Sequence, residues 1–145
     1  MQTVFSSWLA WALLSAVFAA FTAICAKVGV EGVNPDFATF LRTVVIVGVL
    51  AVIVTATRQW QPLGALSPKT SLFLVLSALG TGGSWLCYFR AMKLGDAARV
   101  APVDKLSVVL VAIIAVIFLG EKLTAAGWLG VVLVTIGTVL IAVGA

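Results

Sequence analysis

The sequence predicts an all-α integral membrane protein with five transmembrane helices, folded as a single domain over residues 1–145. Three observations carry this expectation. Five apolar stretches, roughly 8–26, 37–57, 71–93, 100–119 and 124–143, occupy most of the 145 residues. About 20 helical residues at 1.5 Å each cover the ~30 Å hydrocarbon core, so each stretch fits one crossing. The chain is 63% hydrophobic and 10% charged, with a mean hydropathy of +1.23, too little charge to cover a soluble domain of this size. Backbone groups in lipid must be satisfied within the segment, so the spans are helices and not open sheets.

Span one (8–26) has no Lys or Arg before Trp8, which removes the basic leader of a signal peptide, and its apolar run is too long for one. Trp11, Ser15, Phe18, Thr22 and Cys25 share one helical face that ends near Lys27, a pattern suited to packing. Span two (37–57) carries Arg42 about a turn inside it.

Span three (71–93) is the richest. Ser77, Thr81, Ser84 and Tyr88 recur at spacings of four, three and four, a polar stripe along one face. Gly80, Gly82 and Gly83 interrupt its middle, and Trp85 stands beside the stripe. One reading is helix packing, with Gly80 and Ser84 admitting a neighbour and hydroxyls bonding across the contact. The other is an aqueous cavity at mid-depth, where Gly-interrupted segments line transport sites. On that reading Thr81, Ser84, Trp85 and Tyr88 bind a solute, the two aromatics stacking on a planar or cationic group.

Span four (100–119) opens with Pro102, Asp104, Lys105 and Ser107 before pure hydrocarbon over 108–119. Adjacent residues diverge on a helix, so Asp104 and Lys105 are not expected to satisfy each other. Arg42, entering span two at similar depth from the same side, is the expected partner of Asp104. Asp104, Lys105 and Arg42 form either a gate or coupling group or an interfacial pair that fixes register. In span five (124–143), Gly130, Gly137 and Gly144 recur every seven residues, a candidate dimer-packing surface.

Folded up and down, the spans give two unlike ends. Arg58, Lys69, Glu121 and Lys122 fall at one, with four of the five tryptophans: Trp8, Trp11, Trp60 and Trp128. The other end holds ten charges: Lys27, Glu31, Asp36, Arg42, Arg90, Lys93, Asp96, Arg99, Asp104 and Lys105. Six Lys/Arg against three favour the ionic end in the cytoplasm, but Arg42 and Lys105 lie inside their helices, leaving four against three. Orientation stays open, and so weak a bias suits a chain that inserts both ways.

Several functions find no residues. Cys25 and Cys87 lie 62 positions apart inside spans, with no CxxC and no His, so neither a metal site nor a disulfide framework is expected. No GxSxG, HExxH or phosphate-binding loop is present, so no catalytic residue, enzyme activity or cofactor is expected. The net charge of +4 comes without a basic run or RNA-binding motif, so nucleic acid is not an expected partner.

The run WLCYFRAMKLG at 85–95, then Ala101-Pro102, LGEKL at 119–123 and GWLGVVLVTIGTVLI at 127–141 resemble the EamA domain of the drug/metabolite transporter superfamily. Lys27, Pro35 and Arg42 stand where such domains often carry them, and the resemblance covers nearly the whole chain. Most members hold two five-helix units of inverted topology in one chain, and this chain has one. The resemblance therefore implies one half of an inverted-repeat transporter: an antiparallel homodimer of ten helices with a shared cavity. Physics agrees, since an odd-span unit needs an inverted copy for symmetric alternating access.

The resulting expectation is a plasma-membrane carrier subunit, bacterial or archaeal, moving a small organic metabolite or drug-like solute through the lipid bilayer. The alternative is a non-transporting assembly or accessory subunit that pairs with a second five-helix chain. A weaker similarity to the four-helix small multidrug-resistance exporters does not carry their proton-coupling residue over; if a proton is coupled, Asp104 is the expected carboxylate. Their first helix carries a Glu at mid-span, and here no acid precedes Glu31. Substrate, direction and coupling ion stay open.

Overall fold

The computed structural model describes residues 7–144; residues 1–6 and Ala145, the ends of the domain expected over 1–145, lie outside the described residues. Five spans are long and apolar enough to cross a membrane. They are α1 (Trp8–Gly29), α2 (Pro35–Ala56), α3 (Pro68–Leu94), a fourth made of α4 (Ala97–Asp104) and α5 (Ser107–Ile114) with a terminal π-helical turn (Ala115–Leu119), and α6 (Ala125–Val143). No strand occurs among the described residues. In each span only 6–11% of the apolar window is buried, which leaves nearly all of that surface for lipid or another subunit.

Helices α2 and α3 begin a little outside their apolar runs because polar residues, invisible to hydropathy, start them, and a similar cap starts α6. Asn34 Oδ1 accepts from the backbone N–H groups of Asp36 (2.9 Å) and Phe37 (3.2 Å), and Pro35 takes the first helical position. Ser67 Oγ accepts from Thr70 N–H at 3.1 Å ahead of α3, and Thr124 Oγ1 from Gly127 N–H at 3.2 Å ahead of α6. Helix α2 ends with Arg58 in the left-handed region (φ 54°), closed by Gln59 N–H donating to the Val54 carbonyl at 3.0 Å.

Two readings of helix continuity are corrected. The fourth span, expected as one helix, is broken at Lys105–Leu106. Pro102 has no N–H to give the Ala98 carbonyl, and the chain tightens beyond it through bonds of Lys105 N–H to Pro102 O and Leu106 N–H to Val103 O, both 3.0 Å. Conversely, α3 runs unbroken through Gly80, Gly82 and Gly83. A glycine costs a helix about 1 kcal/mol, while freeing backbone groups in lipid costs several, so the helix persists.

The chain divides into two compact units, Ala26–Lys93 and the described part of Met1–Cys25 with Leu94–Ala145. In the first, α2 and α3 run antiparallel and are tied at the end where α2 starts and α3 finishes. Val30 and Met92 are fully buried there, with Ala26, Phe89 and Thr39. Lys27 Nζ donates to the Met92 carbonyl (3.0 Å) and Lys93 Nζ to the Val33 carbonyl (2.6 Å). Arg90 makes a two-pronged pair with Asp36, Nε–Oδ1 2.9 Å and Nη2–Oδ2 2.8 Å. In the second unit, α4 and α5 pack on α6, and Arg99 Nη2 donates to the Ala142 carbonyl at 2.7 Å, a cation on a helix C-terminus.

Candidate functional site

An open-sided groove of about 360 Å³ lies between α2 and α3 within the Ala26–Lys93 unit, a size suited to a small organic molecule. Its polar walls are Thr39 and Thr43 from α2 and Ser77 and Thr81 from α3. Leu74, Ala78 and Gly82 supply an apolar strip, and Trp85 stands toward the tied end. The threonine hydroxyl protons are committed to their own helices: Thr39 donates to Pro35 O (2.8 Å), Thr43 to Thr39 O (2.8 Å) and Thr81 to Ser77 O (2.9 Å). What these oxygens keep for the groove is acceptor capacity.

Of the four residues expected to bind solute, Thr81 and Trp85 line the groove; Ser84 and Tyr88 do not. At 100° per residue, the face 74, 77, 78, 81, 82, 85 is centred about 60° around α3 from the stripe 77, 81, 84, 88. Ser77 and Thr81 belong to both. Ser84 is exposed, and the half-buried Tyr88 ring meets Phe89 edge-on at 6.4 Å between centroids. The expected set missed Thr39 and Thr43. Their signal was the series Asp36, Thr39, Thr43, spaced three and four along α2.

The ionic trio is rearranged. Lys105 Nζ contacts Asp104 Oδ2 at 3.1 Å, against the expectation that the neighbours diverge. Helix α4 ends at Asp104 and Lys105 is its cap, so helical divergence no longer applies and the long Lys stem curls back. Arg42 and Asp104, expected as a pair, belong to different units. Within its own unit the Arg42 guanidinium lies 4.3 Å from the Trp85 ring centroid and 5.5 Å from that of Phe89. Two aromatic faces attract a cation by ~0.5–2 kcal/mol and shield its carbon stem.

In α6, a Cβ added at Gly130 or Gly137 meets no atom within 4 Å, so no described part of this chain packs closely there; Gly144 instead abuts the Leu140 carbonyl of its own helix. No group of three potential metal-ligating residues occurs among the described residues.

Residues 6–143 match the EamA-like transporter family. The chain belongs to that family. This EamA-family chain is 63% identical over 137 residues to an uncharacterized transporter in the cobO 3' region of Sinorhizobium sp., a match covering 94% of this chain and 97% of that relative. No solved structure matches it. Family membership and five spans make it a multi-pass membrane protein.

Proposed function

We propose that this EamA-family chain is a membrane carrier, not an enzyme, moving a small organic solute by alternating access as an antiparallel homodimer. One observation carries the reading: four hydroxyl residues and Trp85 converge on one groove within two helices otherwise suited to lipid. Polar groups on a lipid-facing surface gain nothing, and groups lining a water-filled path are solvated. Family membership and the transporter name of the relative support the same reading. The groove is open on one side, and an inverted second copy supplies the missing wall.

Paired cytoplasmic-active and exterior-active reporters fused after Ala145 test the dimer. Comparable activity from both is expected for dual insertion. Activity from one alone overturns the antiparallel homodimer. Transport is tested in proteoliposomes of the full chain, loaded in turn with labelled amines, nucleosides, amino acids, organic acids and hydrophobic cations. Protein-dependent flux of at least one class, lost on Trp85→Ala with the folded yield kept, is expected; no flux of any class rejects the carrier.

A further inference from the structure

Arg42 is the cation that meets the groove's Trp85, its guanidinium 4.3 Å from the ring centroid, and its surroundings define what it can bind. Thr39, Arg42 and Thr43 fall within one 100° sector of α2, so the guanidinium sits on the side of the helix that walls the groove. It is about 10 Å, seven residues, into α2, beyond the polar cap at Asn34. Within the Ala26–Lys93 unit the carboxylate at the start of α2, Asp36, is held by both prongs of Arg90. Asp104 is on Lys105. Among the described residues of the Ala26–Lys93 unit Arg42 makes no ion pair or hydrogen bond; it has ring faces and a half-buried position instead.

Ring faces attract the guanidinium's charge without offering it lone-pair oxygens, so its five N–H donors stay available to an oxyanion. A cation kept at this depth costs about 2.5–3.5 kcal/mol at mid-membrane unless paired, less nearer the interface, and a planar fork pairs best with a planar oxyanion. Beside it the groove offers an aromatic wall at Trp85, the apolar strip of Leu74 and Ala78, and acceptor oxygens on Thr43 and Thr81 whose protons are already used.

We infer that Arg42 is the anion anchor of the groove and that the solute is an organic carboxylate with a flat or apolar body and at least one N–H or O–H donor. The carboxylate takes the guanidinium edge, the body lies against Trp85, and the donor meets a threonine oxygen. This rests on the carrier reading for its purpose but not for its test.

The probe is labelled 4-hydroxybenzoate, bound at equilibrium to the full chain in detergent, with 4-hydroxybenzamide as a neutral competitor of nearly the same shape. Saturable binding is expected, displaced by unlabelled acid and not by the amide. Arg42→Gln weakens it tenfold or more, and Arg42→Lys, which keeps charge but loses the fork, lies between. Absence of saturable binding, equal competition by the amide, or an Arg42→Gln protein that binds like the parent overturns the inference and leaves the guanidinium to lipid phosphate or register. Should Arg42→Gln fail to fold, the acid-over-amide preference of the parent decides. Carboxylate-selective binding without flux would reject the carrier and keep the anchor. Flux of neutral solutes indifferent to Arg42→Gln would do the reverse.

Discussion

The two units of the chain are held together by different means. Residues 26–93 are tied at one end by charged side chains, Lys27 on Met92, Lys93 on Val33 and Arg90 on Asp36, while α2 and α3 leave a groove beyond the tie. The part formed by residues 94–144 packs helix on helix, α4 and α5 against α6, with a single cationic cap from Arg99. The contrast teaches where chemistry and packing separate. Ionic ties fix one end of a helix pair without filling the space between them, so a polar groove survives. In the second unit the helices meet each other directly, α4 and α5 on α6. Function is therefore sought in the first unit and assembly in the second.

The largest expected effect breaks the first unit at its groove. Trp85→Ala removes the groove wall and the ring under Arg42, and should lower solute flux tenfold or more while folded yield in detergent stays near the parent level. Equal loss of flux and folded protein would make Trp85 a packing residue. Next comes the tie. Lys27→Met leaves the buried Met92 carbonyl without its donor, which costs about 1–3 kcal/mol and lowers Tm in detergent accordingly. The same comparison predicts a milder result in the second unit: Arg99→Ala loses a helix-terminal interaction of about 0.3–1 kcal/mol and leaves flux unchanged. Smallest for the isolated chain is Gly137→Ala, which meets no neighbour in the protomer. If Gly130 and Gly137 face the second copy, that change lowers the cross-linked dimer fraction with little shift in the Tm of monomeric protein; an unchanged dimer fraction places the interface elsewhere.

The spans were legible because hydropathy over about 20 residues is a strong signal, and α2 and α3 overshoot their runs at the start where Asn34 and Ser67 cap them. The break at Lys105 was signalled by Pro102, but hydropathy treats Val100 through Leu119 as one run and is blind to a missing N–H. Thr81 was legible from the stripe and Trp85 from its place beside it, whereas the groove's true face is rotated from it by the position of α2, which periodicity in α3 alone does not encode. Thr39 and Thr43 read as ordinary β-branched residues of an apolar helix, their hydroxyls turned back on the backbone. Arg42 was visible as a charge inside a span; its place against Trp85 depends on tertiary contact.

Cysteine accessibility tests the central claim, that the α2–α3 groove is an aqueous path, most directly. In a chain with Cys25 and Cys87 replaced by Ala, single cysteines at Thr43 and Thr81 in the groove and at Leu76 and Leu110 on exposed apolar faces are exposed to a membrane-impermeant thiol reagent in intact vesicles. The expected result is rapid labelling at Thr43→Cys and Thr81→Cys, slowed by a transported solute, and none at Leu76→Cys or Leu110→Cys. Groove cysteines as unreactive as the apolar-face pair would contradict the account, because a dry groove carries no solute.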